Sequence, residues 1–157
     1  MYPKMRRFKQ QMTDEACIRV LETERRGVLA VCGSDGQPYA IPLNFYYEDG
    51  KIYFHGAKEG HKIDVIRENP KVSFNVYTHG VPSQIKRGLD VESVTVFGTI
   101  REMENNEEAV SFLRKAGLKY FPDDPEYIEK EVNSTRAAVQ MLELTIDHMT
   151  GKNVNES

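Results

Sequence analysis

Two basic residues lie where a helix is predicted to begin. In the segment IYFHGAKEGHKIDVIRENP (52–70), a strand-like run ends at a small-residue turn, His-Gly-Ala (55–57), and a helix then opens around His61 and Lys62. A cation in the first turn of a helix is locally unfavourable, because the backbone amides there are already positive. An anion bound from outside would remove the conflict, since helix N-termini are ready anion sites. The pattern therefore suggests that Lys62 and the neighbouring amides bind a phosphate.

The same residues also have ordinary interpretations. Lys62 is compatible with a solvated side chain paired with Glu59 one turn earlier, and such pairs are common on helices. His55, at the end of a strand, is equally typical of a surface or hydrogen-bonding histidine. Single positions leave these alternatives open, so the rest of the chain has to decide between them.

Other familiar chemistries find no support in the sequence. The four histidines have no zinc-ligand spacing and no cysteine pair assists them, so we predict no metal site. No P-loop, no Gly-x-Gly-x-x-Gly and no nucleophile-elbow motif is present. Cys17 and Cys32 do not form a disulfide framework, and together with the absence of a signal-peptide pattern they predict a reducing, cytoplasmic setting. A net charge of −3 gives no reason to expect nucleic acid as a partner.

The elements expected to position these residues are mostly strands. Thr13 is a plausible N-cap of a first helix, and strands are predicted over 27–32, 39–47 and 51–54, forming a meander. A helix ending at Asn69-Pro70 is followed by an alternating strand over 72–77 and a loop over 78–89. A strand over 91–101, helices over 104–117 and 123–132, and a strand over 139–148 complete the chain. Short connections favour a mainly β fold, an antiparallel barrel with flanking helices.

The domain prediction is one barrel domain over residues 13–152. A flexible N-terminal segment (1–12) and a flexible tail (153–157) are expected outside it. No apolar run is long enough to span a bilayer. Within the second strand, Pro38 and Pro42 cannot donate to a ladder. They indicate either a bent or edge strand, or an irregular backbone around Pro42 whose free N–H groups bind a ligand.

Taken together, the motifs resemble a known superfamily. GQPYAIPLNF (36–45), YFHGA (53–57), GHK (60–62) and NPKVSF (69–74) resemble, in order and spacing, the FMN-binding split-barrel superfamily that includes pyridoxamine-phosphate oxidase. SVTVFGTIR (93–101) and IDHMTGK (146–152) are similar to its nitroimidazole-resistance branch. The resemblance extends over nearly the whole chain.

The resemblance implies an antiparallel split β-barrel that forms a homodimer with FMN at its interface. It places the backbone of Pro42, Leu43 and Asn44 along the flavin ring. The tripeptide His55-Gly56-Ala57 is expected beside the ring and ribityl chain, and His61 with Lys62 at the phosphate. Ser93 is expected to line the pocket from the same or the partner subunit. Glycines at positions 56 and 60 would allow close approach of the backbone to the phosphate.

The resemblance further implies an FMN-dependent oxidoreductase that reduces nitroimidazole or nitroaromatic compounds, with His55 as the proton donor. Two alternatives remain at this stage. One is a flavin reductase or oxidase acting on another small acceptor. The other is a non-catalytic flavin or haem binder, for which His55, His61 and His79 are available.

One position departs from the superfamily pattern. Oxidases of this superfamily usually have an arginine before the phosphate-binding lysine, where this chain has His61. Histidine lacks the bidentate fork of arginine and is often neutral at cytoplasmic pH. We therefore expect a weaker phosphate contact, or a contribution from Lys58. The basic residues that the true oxidase uses for pyridoxal are not evident near the C-terminus, so pyridoxamine phosphate is not the expected substrate.

Overall fold

The computed structural model describes residues 1–157. Its strands are β1 (Arg26–Cys32), β2 (Pro38–Asn44), β3 (Tyr46–Glu48), β4 (Lys51–Ala57), β5 (Lys71–Tyr77), β6 (Val81–Pro82), β7 (Leu89–Glu102) and β8 (Val139–Glu156). Its helices are α1 (Asp14–Thr23), α2 (His61–Glu68), α3 (Glu107–Tyr120) and α4 (Pro125–Thr135), and a short 3-10 turn spans Phe8–Gln10.

The strands form one antiparallel sheet in the order β2-β1-β5-β7-β8-β4-β3, with β6 paired to β7. Because β2 and β3 lie at opposite ends of this order and do not pair with each other, the sheet is an open half-barrel. Helices flank the sheet: α1 and α2 contribute to the core inside the half-barrel, and α3 and α4 pack against its outer side. This arrangement confirms the predicted mainly β, split-barrel fold. The longest helix, α3, has 14 residues, and no helix combines the length and apolar character that crossing a membrane requires.

The core divides into two clusters. The larger lies inside the half-barrel, where Phe74 packs edge-to-face against Phe45 and Phe54 at centroid distances of 5.1 and 5.0 Å. The smaller lies between the outer side of the sheet and the pair α3–α4, around Leu113 and Ile128. Helices α3 and α4 are therefore attached through an apolar layer of their own.

Several elements follow from local sequence as predicted. Thr13 caps α1 by accepting a hydrogen bond from the Ala16 amide at 3.2 Å. Strand β5 alternates buried and half-buried positions over Val72–Val76, as its sequence pattern indicates. The predicted helices at 104–117 and 123–132 are present, with observed bounds shifted two to three residues toward the C-terminus.

Three boundaries differ from the prediction. The tripeptide 55–57 is not a turn but the end of β4, because it pairs with residues 139–141 of β8. The predicted strand over 39–47 is interrupted at Phe45, where pairing passes from β1 to β4. The final strand does not end at His148: residues 153–156, predicted as a flexible tail, pair with residues 89–92 of β7.

Candidate functional site

Helix α2 begins without a capping side chain. Its N-cap is Gly60, whose φ of 128° lies in a region that L-residues rarely adopt, so a side chain here would strain the backbone. The first intrahelical bonds are donated by Ile63 and Asp64 to the Gly60 carbonyl. The amides of His61 and Lys62 precede them and remain available to an external acceptor.

The Lys62 amine folds back over the end of β4. A Cβ placed on Gly56 would lie only 3.0 Å from Lys62 Nζ, so the absence of a side chain at Gly56 makes room for the amine. Burial lowers the pKa of Lys62, and Lys62 forms neither an ion pair nor a side-chain hydrogen bond. The interpretation of Lys62 as the partner of Glu59 is therefore wrong. A half-buried cation without a counter-ion remains.

His55 lies next to this cation. Its pKa is lowered from the ordinary value of 6.5, first because surrounding protein desolvates the ring and second because the charge of Lys62 repels a proton. The imidazole is therefore mainly neutral at neutral pH. His55 is solvent-accessible, so it can exchange protons with a molecule bound at the surface.

The other side of the site is β2, the edge strand of the sheet. Its Tyr39 ring meets the His61 ring edge-on, with centroids 4.8 Å apart, which ties the start of α2 to β2. Pro42, Leu43 and Asn44 pair in regular register with β1, so the backbone at Pro42 is not irregular. The prolines are accommodated because β2 is an edge strand, which supports the edge-strand interpretation.

Two side chains of α3 fix the backbone at Phe45, where the predicted strand is interrupted. The Tyr120 hydroxyl accepts a hydrogen bond from the Phe45 amide at 2.9 Å and donates to the Arg25 carbonyl. Lys119 donates to the Phe45 carbonyl at 3.0 Å, and its amine lies 3.8 Å from the centroid of the Phe45 ring. Burial lowers the pKa of Lys119 to about 8. Two neighbouring α3 side chains thus satisfy both backbone groups of Phe45.

A cavity of about 370 Å³ opens beside this contact, between α3, α4 and the ends of β2 and β4. Asn44 and His55 are exposed residues of its lining and we call this side its mouth, which adjoins the groove formed by β2, β4 and the start of α2. We call that groove the α2 groove, defined by Tyr39, the tripeptide 55–57, His61 and Lys62. Sequence reasoning did not predict this cavity or the contribution of Tyr120, because α3 meets the connection between β2 and β3 through contacts between residues about 75 positions apart.

The predicted site residues are only partly brought together. His55, Gly56 and Lys62 lie next to one another at the end of β4. His61, which precedes Lys62 in the chain, packs against Tyr39 of β2. Ser93 lies far from His55 within one chain. Ser93 pairs with Lys152 of β8, whereas His55 pairs with Met141 of the same strand. These two positions are eleven residues apart, roughly 35 Å along the strand. Lys58 is exposed in the connection before α2. No group of three or more histidine, cysteine, aspartate or glutamate side chains is arranged to hold a metal ion.

An open antiparallel half-barrel, with Lys62 at the start of the helix beside its edge strand, defines a protein of the split-barrel class. A family model described as pyridoxamine 5'-phosphate oxidase matches residues 13–153, and the chain belongs to this family. This confirms the resemblance predicted from the sequence motifs. An uncharacterized protein of Rhizobium meliloti is 28% identical over 152 residues, which cover 92% of this chain and 95% of that protein.

Solved structures show the same architecture. A FAD-binding protein from Mesorhizobium loti is 28% identical with a TM-score of 0.67, covering 93% of this chain and 98% of the other. A proposed 5-nitroimidazole antibiotic resistance protein from Bacteroides thetaiotaomicron has a TM-score of 0.76 at 22% identity, covering 91% and 86%. A FAD- and haem-binding protein from Mycobacterium smegmatis has a TM-score of 0.74 at 21% identity, covering 94% and 74%. At these last two identities the similarity demonstrates the fold alone.

Proposed function

We propose that the protein is an FMN-dependent oxidoreductase that reduces nitroimidazole or related nitroaromatic compounds. The observation that carries the proposal is the Lys62 amine, half-buried over Gly56 with no counter-ion. An unpaired cation at this depth is costly, and a bound phosphate would compensate it. The uncapped amides of His61 and Lys62 add further donors for the same group.

The remaining groove residues fit a phosphate-bearing planar cofactor. Gly56 makes room for the Lys62 amine above β4, and Ala57 adds only a methyl group. Pro42, Leu43 and Asn44 provide the facing edge strand for the flavin ring. A mononucleotide and a dinucleotide flavin both carry a phosphate for this site, and relatives of this fold bind FAD, so both nucleotides have to be titrated.

The flavin would supply the electron chemistry when bound. The chain would supply binding, orientation and a proton. His55 is the proposed proton donor, because its ring lies at the junction of the α2 groove and the adjoining cavity. Its lowered pKa means that only a small fraction is imidazolium at neutral pH, so turnover limited by this proton should rise as the pH falls.

The homodimer and the cytoplasmic setting are part of the same proposal. The outer face of β1, β5 and β7 carries small, half-buried side chains, among them Ala30, Cys32 and Ser73, around an open depression. Ser93 is remote from the α2 groove within one chain, so in the proposed homodimer it would line the flavin site from the partner subunit. Two free cysteines, Cys17 and Cys32, agree with a reducing compartment.

Two other functions have specific support. A different small acceptor would use the same groove and the same His55, since nothing in the groove itself selects a nitro group. A flavin or haem carrier is supported by the accessible imidazole of His55 next to an apolar cavity, and a relative of similar fold binds both FAD and haem. His79, exposed in the loop after β5, is not near this cavity lining.

The deciding experiment is the visible absorption spectrum of the purified protein, titrated with FMN and separately with FAD. Lys62→Ala should weaken FMN binding about 10- to 100-fold, because a hydrogen bond to a charged group contributes about 1.5–3 kcal/mol. Lys130→Ala, an exposed lysine on α4, is the matched control, and Lys58→Ala tests whether Lys58 contributes. A protein that stays colourless with both nucleotides would contradict the proposal, and a Soret band would favour the haem carrier.

Activity requires a second measurement. Photoreduced, FMN-loaded protein is mixed with a nitroimidazole and, in parallel, with a quinone and with free flavin. Reoxidation by the nitroimidazole that falls sharply in His55→Ala, with unchanged FMN affinity, supports the assigned reaction and donor. Reoxidation by the quinone alone favours another acceptor, and no reoxidation by any organic acceptor favours a carrier.

A further inference from the structure

The cavity beside the α2 groove is lined mainly by residues that do not belong to the groove. Its inner wall is apolar, built from α3 and α4 residues such as Leu113, Ala116, Ile128 and Val132. Its volume of about 370 Å³ falls within the range of small-molecule pockets. These α3 and α4 residues are distinct from the groove residues that would hold a flavin.

Aromatic side chains at the rim of the cavity are exposed to solvent. Phe121 and Tyr127 are 52% and 43% exposed, and their rings meet edge-to-face with centroids 5.5 Å apart. Tyr120 contributes a third ring from the α3 side. Exposed aromatic surface beside an apolar hollow gains free energy when a flat apolar molecule covers it, and ring-on-ring contacts add to this gain.

The charges around the cavity select against ions. Arg25 and Glu131 are the only formally charged residues in its lining, and they have opposite signs. The Arg25 guanidinium lies 5.2 Å from the centroid of the Tyr120 ring, so an aromatic face already accompanies its charge. His55 at the mouth is mainly neutral at neutral pH. An uncharged ligand therefore loses the least solvation on entering.

We propose that this cavity binds an uncharged, planar aromatic compound whose reducible end lies at the mouth, between Asn44 and His55. Its role as the electron-acceptor site rests on the proposed flavin function, whereas binding itself requires only the cavity. For a nitroaromatic compound, conversion of nitro to nitroso takes up two electrons and two protons and releases one water. A bound, reduced FMN would supply the same two electrons and two protons, so the exchange would balance without a further reactant.

The test uses nitrobenzene as the neutral probe and 4-nitrobenzoate as its anionic counterpart. Binding of each is measured by equilibrium dialysis against the full-length protein, without flavin and saturated with FMN. Thr135→Phe fills the cavity from the end of α4, and Asn133→Phe adds the same ring to an exposed position of that helix outside the cavity. Thermal unfolding is recorded for both variants.

We expect nitrobenzene to bind with and without FMN, and 4-nitrobenzoate to bind at least tenfold more weakly. Thr135→Phe should weaken nitrobenzene binding at least tenfold, whereas Asn133→Phe and the FMN affinity of both variants stay unchanged. Equal affinity of the two probes, or equal affinity of Thr135→Phe and the unmodified protein, overturns the proposal. Displacement of nitrobenzene by FMN also overturns it, because the cavity would then belong to the flavin ring.

The outcomes separate this proposal from the function on which it builds. If FMN does not bind but the two probes and the two variants give the expected affinities, the aromatic site is supported. Only its role as the electron-acceptor site is then lost, together with the proposed function. If Thr135→Phe does not fold, Tyr127→Ala replaces it, because removing an exposed rim ring leaves the core intact. Its matched control is Tyr77→Ala, an exposed tyrosine at the end of β5 outside the cavity. Unchanged nitrobenzene binding in Tyr127→Ala overturns the proposal.

Discussion

Removing one hydroxyl from α3 tests how the half-barrel holds its interrupted strand. In Tyr120→Phe the ring remains, but the Phe45 amide loses its acceptor and the Arg25 carbonyl loses its donor. Phe45 is only 1% exposed, so water cannot readily replace the lost acceptor. The amide would be left buried and unsatisfied.

The expected cost follows from these contacts. An unsatisfied buried donor costs about 1–3 kcal/mol, and the second hydrogen bond contributes about 1 kcal/mol where solvent does not replace it. The Arg25 side is exposed, so most of the loss arises at Phe45. We expect a decrease of about 2 kcal/mol in the free energy of unfolding, which corresponds to a melting temperature lower by roughly 4–8 °C for a chain of this size.

Urea unfolding followed by far-ultraviolet circular dichroism measures the change directly. Tyr127→Phe is the matched control, because the Tyr127 hydroxyl has no hydrogen-bond partner within the chain and should shift stability by less than about 0.5 kcal/mol. A Tyr120→Phe variant as stable as this control would refute the reasoning. It would mean that the Lys119 contact alone holds Phe45.

Three further predictions follow from the site and the sheet. In an NMR titration, the pKa of His55 should lie below its ordinary 6.5 and rise toward it in Lys62→Met, because a neighbouring positive charge is removed; an unchanged pKa would show that desolvation alone causes the shift. Burial of Glu143 raises its pKa, but Arg101 at 2.9 Å and Lys51 at 3.3 Å outweigh this and lower the pKa below its ordinary value of 4.5. The stabilisation by this carboxylate is therefore present above pH 4.5 and lost as the pH falls through the lowered value. Urea unfolding from pH 5 to 3 should therefore show a shallower loss of stability in Glu143→Gln, and parallel curves would contradict this. Gly98→Ala should destabilise the sheet by about 1–3 kcal/mol or more, since a Cβ there would lie 2.1 Å from the Thr145 carbonyl oxygen; near-normal stability in urea would refute the tight packing.

Local sequence predicted the elements whose causes are local. The Thr13 cap, the alternation in β5 and the helix stop at Asn69 each depend on neighbours within a few residues. The order of the motifs along the chain was specific enough to indicate the family, which the match over residues 13–153 confirms. Lys62 was identified for a physical reason, the mismatch between a cation and a helix N-terminus, and its unpaired amine agrees with that reasoning.

The features that sequence could not predict depend on distant partners. The tripeptide 55–57 reads as a turn on local grounds, yet it becomes strand because residues 139–141 pair with it. Phe45 carries no local signal of interruption, and the side chains that satisfy its backbone come from Lys119 and Tyr120. The cavity is likewise formed only when α3 and α4 pack beside β2 and β4.

The long final strand has a consequence for the order of events during synthesis. Without β8, the sheet falls into two pieces, β2-β1-β5-β7 with β6, and the hairpin β3-β4. A nascent chain lacking residues 139–156 therefore presents the unpaired edges of β4 and β7, which are templates for association with other chains. The two pieces join only after that segment has left the ribosome. Until then, these edges are exposed surfaces at which the emerging chain can associate with others.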